Sequence, residues 1–298
     1  MRAAVYSRTG EPTEVLSVAD VEEPHAGAGQ VRVAVRAAGV NPIDWKIVTG
    51  MMGERDRPTV PGVDAAGVVD EVGEGVTGVR VGDAVFGQAT GGAAAEYAVL
   101  SVWAAKPEGA SFEVAGGLVV PGETAVRVLD LLGLSSGQTV VVDGASGGVG
   151  VVTVQVARSR GLRVIGTAGE ANQEFLRSLG AEPTVYGPGL ADRVRALAPD
   201  GVDGGIDTAG RGSVHDLIAL TGDPAKVVTI ADFSAKELGV QVTSGGGGQG
   251  PRLEQVAELL AGGRIELPIA GRYPLERTGE AYEESRAGHV RGKLILLP

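Results

Sequence analysis

Apolar positions along this chain change their spacing twice. Up to about residue 100 they come in short alternating or continuous runs, QVRVAVRAAGV (30–40), AAGVVDEVG (65–73), DAVFG (83–87) and AAAEYAVL (93–100), set apart by glycine and proline. Runs of that length and β-branched content between turn residues predict strands of a twisted antiparallel sheet or partial barrel. Near Ser111 the spacing becomes helical. Ser111 is a candidate N-cap for SFEVAGGLVV, and ETAVRVLDLLG (123–133) carries an apolar stripe that stops at Gly133.

From Thr139 strand and helix patterns alternate: TVVVDG, VGVVTVQVARSRG, RVIGTA, NQEFLRSLG, PTVYG, LADRVRALA, GVDGGIDTAG, SVHDLIAL, KVVTIAD and GVQVTS. Strands separated by helices of about ten residues predict a doubly wound α/β arrangement, a parallel sheet with helices on both faces. SGGGGQG (244–250) reads as a flexible break, followed by a helix with Pro251 in its first turn. The tail, ending in GKLILLP, reads as a helix and a strand returning to the N-terminal sheet. The chain therefore divides into a β-rich part, 1–120 with 248–298, and an α/β part, 121–247.

Composition narrows the function. Hydrophobic residues make up 43% and charged residues 21%, the balance of a globular chain. No apolar run approaches the roughly 18 residues of a membrane span, and MRAAVYSRTG lacks the apolar core of a signal peptide, so a cytoplasmic protein is expected. Twenty-six basic against 37 acidic side chains give a net charge of −11, and only 4% of residues are aromatic. Both features argue against nucleic-acid binding. Cysteine is absent, which excludes disulfides, a thiolate nucleophile and every Cys-ligated zinc site. His25, His215 and His289 lie far apart, and no metal is expected.

The most informative segment is VVVDGASGGVGVVTVQVA, which sets Gly144, Gly147 and Gly150 between an apolar strand and an apolar helix. In such a turn a Cβ would keep a pyrophosphate away from the backbone N–H groups at the helix start, so Gly144, Ala145, Gly147, Gly148, Val149 and Gly150 form a candidate phosphate cradle. The spacing is G-x-x-G-x-x-G, not the commoner G-x-G-x-x-G, but strand, turn, helix and the next strand all fall within one unit of about 30 residues. The plainer alternative is that the glycines serve helix–sheet packing. A dinucleotide with a free ribose 2′-OH usually meets Asp or Glu at the end of the second strand. Here that strand ends at Thr167 and Ala168, which favours NADPH over NADH; Glu170, two residues on, leaves the acidic role open.

With AAGVNPIDWK (37–46), VPGVDAAGVVDEVGEGVTGVRVGDAVFG (60–87), AEYAVL (95–100), PGETAVRVL (121–129), DGASGGVG (143–150) and GHVRGKLIL (288–296), the chain resembles, over its whole length, the zinc-independent quinone oxidoreductase (zeta-crystallin-like) branch of the medium-chain dehydrogenase/reductase family. The resemblance implies a Rossmann doubly wound domain plus a β-rich GroES-like catalytic domain, with NADPH in the cleft between them. In the zinc-dependent branch a ligand Cys falls at Asn41 and a Gly-His-Glu segment at Gly62, Val63 and Asp64, so Val63 replaces a ligand His. Without a Lewis acid to stabilise an alkoxide, hydride addition to an activated acceptor is the expected chemistry, a quinone or an α,β-unsaturated carbonyl.

Carried over residue by residue, the resemblance makes Asn41 and Asp44 polar lining of the hydride-transfer site, Asn41 bonding the cofactor ribose or an acceptor carbonyl. The local alternatives are that Asn41 satisfies its own turn and that Asp44 holds backbone or pairs with Lys46. Lys46 stands where many relatives have Tyr, so the proton donor is open. Thr124 resembles a contact near the nicotinamide and phosphates, or is a helix cap, and Ile230 resembles a backbone position beside the nicotinamide, or is a buried strand residue. Tyr186, at the end of the third strand, resembles a contact to the 2′-phosphate. Arg286, Arg291 and Lys293 are basic candidates for the same group, or solvated side chains. A homodimer through the edge of the nucleotide-binding sheet is implied. The alternative from another class is a catalytically weak NADPH-binding sensor or reservoir of the same fold.

Overall fold

The alternation in VRVAVRAAG becomes the strand Val31–Gly39, which buries Val31, Val33 and Val35 and exposes Arg36. In the computed structural model, which describes residues 1–245 and 247–298, that strand is the hub of a six-stranded sheet. The order is Ile269–Pro274, Lys293–Leu297, Val31–Gly39, Asp64–Val72, Ala84–Thr90, Tyr97–Ala105. Val31–Gly39 also pairs antiparallel with Tyr97–Ala105, closing four strands into a ring around Val33, Val69, Val85, Ala98 and Leu100. Closure removes the exposed edges an open sheet would leave. The tail strand Lys293–Leu297 joins the ring strand antiparallel at Ala38 and Gly39, which places Lys293 beside the loop that carries Asn41. Met1–Val120 and Gln249–Pro298 form this compact unit. The helix Gln249–Ala261 has Pro251 near its start, where a missing N–H costs nothing.

Pro121–Gly248 form the second unit. Its sheet runs Gln241–Val242, Val227–Thr229, Gly204–Asp207, Thr139–Asp143, Arg163–Thr167, Glu182–Thr184, and every neighbouring pair is parallel. The first strand of the unit, Thr139–Asp143, is buried throughout, as a central strand covered on both faces must be. The helices Gly148–Ser159, Gln173–Ser178, Leu190–Leu197 and Val214–Thr221 connect successive strands. Ser111 caps its helix as expected, accepting from the Val114 N–H at 3.1 Å. The helix read from residue 123 instead starts at Val119, so Thr124 lies in its second turn and caps nothing. The break SGGGGQG includes Gly246, which lies outside the described residues.

Candidate functional site

Two polar centres stand out, one in each unit. In the parallel unit the chain leaves Thr139–Asp143 through the glycine turn and enters Gly148–Ser159. The three glycines have different jobs. Gly144 has φ +76°, and a Cβ there would lie 2.7 Å from Thr208 Oγ1; at Gly150 it would lie 2.2 Å from the Gly144 carbonyl oxygen. Those two are required by the fold. Gly147, the N-cap, has ordinary extended angles (φ −78°, ψ 173°), and an added Cβ would meet only the Gly144 carbonyl oxygen, at 3.4 Å. Its hydrogen faces open space beside the first-turn N–H groups of Gly148, Val149 and Gly150, which have no carbonyl within the helix to bind. This is a cradle an anion can fill.

The rest of that rim is braced from below. The Thr167 hydroxyl is not free: it bonds Asp143 Oδ1 and accepts the Gly144 N–H at 3.1 Å. Thr167 therefore shapes the turn from below. Asp207 accepts from the N–H groups of Ala209 (3.0 Å) and Gly210 (2.8 Å) and from the Thr229 hydroxyl (2.7 Å). Burial, with Asp207 nearby, pushes the Asp143 carboxyl above its usual range, while bonds from Thr167 and Ser213 hold it down. Neither Asp143 nor Asp207 was singled out from the sequence, although each stands as an acid at the end of an apolar strand, in VVVDG and GGIDTAG. Ala168, buried, follows its strand without a carboxylate, and Glu170 begins a short exposed 3-10 turn.

Tyr186 lies two residues beyond the strand Glu182–Thr184 and is half exposed. Its hydroxyl comes within 3.8 Å of the Cβ position of Gly169. Arg193 holds the loop that carries it, donating to the carbonyls of Val185 (2.9 Å) and Pro188 (2.7 Å). Ile230 is not a strand residue: it follows Val227–Thr229, and its N–H bonds the Asp207 carbonyl at 3.1 Å. Thr124 is buried, with its hydroxyl oxygen accepting from Arg127 at 3.1 Å.

In the ring unit Asn41 is the N-cap of the helix Pro42–Val48, and the Asp44 carboxylate reaches back to the Asn41 N–H at 2.7 Å. Lys293 Nζ donates to Asn41 Oδ1 and to the Val40 carbonyl, both at 2.6 Å, and lies 4.0 Å from Asp64 Oδ2. Asp64 also accepts the Val120 N–H at 3.1 Å. All four residues are at most 4% exposed. The expectation that Lys293 holds a 2′-phosphate is therefore corrected: its ammonium is enclosed and committed to Val40 and Asn41. The Asp44–Lys46 pairing is corrected too, since Asp44 faces this cluster while Lys46 lies over the Trp45 ring at 5.7 Å. Arg286 pairs with Glu11 at 2.7 Å and Glu283 at 3.4 Å, the reading of an ordinary surface side chain.

Two buried carboxylates share one ammonium, so full ionisation leaves an uncompensated charge. Burial raises Asp44 to about 7, against the Asn41 N–H and Lys293, which lower it, and with Asp64, which raises it further. Burial likewise raises Asp64 to about 6, opposed by Lys293, Asn41 and the Val120 N–H. Burial lowers Lys293, opposed by both acids. Tyr282, with Tyr6 and Asp44 close by, is itself pushed up by burial and stays neutral. An acid whose folded pKa lies above its unfolded value of 3.8 contributes stability fully below that value and loses it as pH rises through the folded pKa. We therefore expect urea unfolding to show stability falling between about pH 4 and pH 7 from these groups, and the Asp44→Asn protein to show a flatter profile; an unchanged slope would remove Asp44 as its source.

Among the described residues no group of three or more His, Cys, Asp or Glu is arranged to hold a metal, and the cluster already contains a fixed cation, Lys293. A zinc ion does not fit these donors.

Residues 27–108 match the family model of the alcohol dehydrogenase GroES-like domain, and residues 179–296 that of the zinc-binding dehydrogenases. Over 321 residues the chain is 31% identical to quinone oxidoreductase of Rattus norvegicus, covering 100% of this chain and 98% of that protein. The chain belongs to the quinone oxidoreductases of the medium-chain dehydrogenase/reductase family. A second relative in this family is 2-methylene-furan-3-one reductase of Solanum lycopersicum, 30% identical over 316 residues, covering 100% of this chain and 79% of that one. A mycobacterial structure solved in complex with NADPH superposes with a TM-score of 0.88 at 28% identity, covering 100% of both chains. Among the described residues no helix is long and apolar enough to cross a membrane.

Proposed function

We propose that this quinone oxidoreductase family member is an NADPH-dependent enzyme that reduces a quinone or an α,β-unsaturated carbonyl compound without zinc. The observation that carries the reading is the open Cβ position of Gly147 beside the first-turn N–H groups of Gly148–Ser159. Bound NADPH supplies a hydride from nicotinamide C4 to the electrophilic carbon of the acceptor. The protein's own part is orientation, exclusion of water and hydrogen bonding to the oxygen that gains charge.

Gly148, Val149 and Gly150 offer their first-turn N–H groups to the pyrophosphate, while Gly144, Ala145 and Gly147, whose N–H groups bond Thr167 and Gly144, shape the turn and leave it room. Ala168 and Tyr186 border the 2′-phosphate, with no carboxylate on Ala168 to repel it. Thr124 and the backbone of Ile230 serve the nicotinamide half. Asn41 faces the acceptor oxygen or the cofactor ribose, Asp44 holds Asn41 in place through its N–H, and Lys46 is the cation nearest in sequence to that pair. Two relatives, a quinone oxidoreductase and a 2-methylene-furan-3-one reductase, support this acceptor class. The reading includes a cytoplasmic homodimer that pairs through an edge of the parallel sheet, whose edge strands are Gln241–Val242 and Glu182–Thr184.

An anaerobic NADPH-oxidation screen against quinones, short enones and enoyl thioesters tests the activity. Tight NADPH binding with no turnover on any of them would favour the reservoir alternative instead. NADPH is expected to bind at least about tenfold more tightly than NADH, roughly 1.4 kcal/mol, measured by nicotinamide fluorescence; equal affinities would give Glu170 the ribose. Activity is expected to survive prolonged EDTA treatment, and a loss that zinc restores would overturn the metal-free assignment.

A further inference from the structure

Arg127 lies in the helix Val119–Leu132 and is almost fully buried. Its Nε donates to both carboxylate oxygens of Glu123, one turn earlier, at 3.2 Å each. Nη2 donates to Thr124 Oγ1 at 3.1 Å, and Nη1 donates to Thr243 Oγ1. A guanidinium only donates. Both threonine oxygens are therefore acceptors toward Arg127, and their hydroxyl hydrogens turn away from it. Glu123 balances the charge, so Arg127 contributes direction to these hydroxyls more than net attraction.

The position of Thr243 gives that direction a use. It is the first residue after Gln241–Val242, with its N–H on the Thr229 carbonyl at 3.1 Å. Gly144, Ala168, Thr208 and Ile230 likewise follow the carboxyl ends of Thr139–Asp143, Arg163–Thr167, Gly204–Asp207 and Val227–Thr229. Ligands of doubly wound sheets lie along that rim. The glycine turn and Ala168 serve one half of it, and Ile230 and Thr243 lie on the other.

We propose that Arg127 is a positioning residue that makes the Thr124 and Thr243 hydroxyls a pair of donors to oxygen atoms of the nicotinamide half of NADPH. The inference rests on the cofactor reading above. It adds Thr243 to the binding residues and gives a buried arginine a task beyond joining a helix to the sheet edge.

NADPH titration of the full-length protein tests it. Thr124→Val and Thr243→Val should each weaken NADPH about fivefold, the effect of one hydrogen bond, and Thr124→Ser and Thr243→Ser should restore it. In an Arg127→Met/Glu123→Gln background, which leaves no charge unpaired, Thr243→Val should cost nothing further. A purely structural arginine predicts a lower melting temperature with additive binding penalties. Arg127→Lys keeps the charge but not the fork and should lose most of the effect as well, which decides the matter if the double variant does not fold. Wild-type NADPH binding with unchanged affinity in the two valine variants overturns this inference alone; absence of NADPH binding by the wild type overturns the proposed function itself.

Discussion

Gly147→Val should keep its fold and lose more than tenfold in NADPH affinity. The angles of Gly147 suit valine, and the one atom near an added Cβ is the Gly144 carbonyl oxygen at 3.4 Å. Losing glycine at an N-cap costs about 1 kcal/mol, so the cofactor-free melt should fall only slightly. The branched side chain would occupy the space a pyrophosphate needs in order to reach the N–H groups of the first turn. Thermal melts with and without NADPH read both quantities, because a ligand that binds only the native state raises its melting temperature. Equal stabilisation of variant and wild type would mean that the cradle lies elsewhere. Gly150→Ala is the contrasting control: its Cβ would fall 2.2 Å from the Gly144 carbonyl oxygen and 2.6 Å from Ala145 Cα, so it should destabilise the protein whether or not cofactor is present.

Lys293→Met should cost about 3–5 kcal/mol at neutral pH, the usual penalty for stranding a buried charge. It removes the ammonium that bonds Val40 and Asn41 and lies 4.0 Å from Asp64. The loss should shrink toward pH 5, where Asp44 and Asp64, raised to about 7 and about 6, take up protons and need no counter-charge. Urea unfolding at the two pH values reads the difference. An equal loss at both would show that the lysine stem, and not its charge, supports the site. Because Lys293 holds the Asn41 carboxamide oxygen, turnover should drop even where the variant remains folded.

Much of the fold was written in the spacing of apolar residues. The run VVVDG could only be a strand covered on both faces, and the regular return of such runs after helical stretches specified parallel pairing, since each crossover has to carry the chain back to the same end of the sheet. The glycine turn was legible for the same reason: a strand, three glycines and a helix leave few other geometries. What each glycine does was not legible. Gly144 and Gly150 answer to Thr208 and to the turn's own backbone, and Gly147 to empty space, a distinction that depends on atoms distant in sequence or on the detailed path of the turn.

The same holds for the charged groups. The resemblance pointed to Asn41 and Asp44, and local reading left Asp44 to hold backbone or Lys46 and Lys293 to meet a phosphate or solvent; none of these joins Lys293 to Asn41. Nothing local joins residues 41, 64 and 293. They meet because the tail strand Lys293–Leu297 pairs with Val31–Gly39, and that strand with Asp64–Val72. Arg127 reads as one more polar position on a helix until Thr243 arrives from the far edge of the sheet. By itself the sequence determined the elements, the turn and the family, because local spacing and backbone sterics carry that information. Which charges are buried together, and hence where their protons reside, was decided only by tertiary structure, since desolvation and Coulomb interaction depend on distance in space and not on separation along the chain.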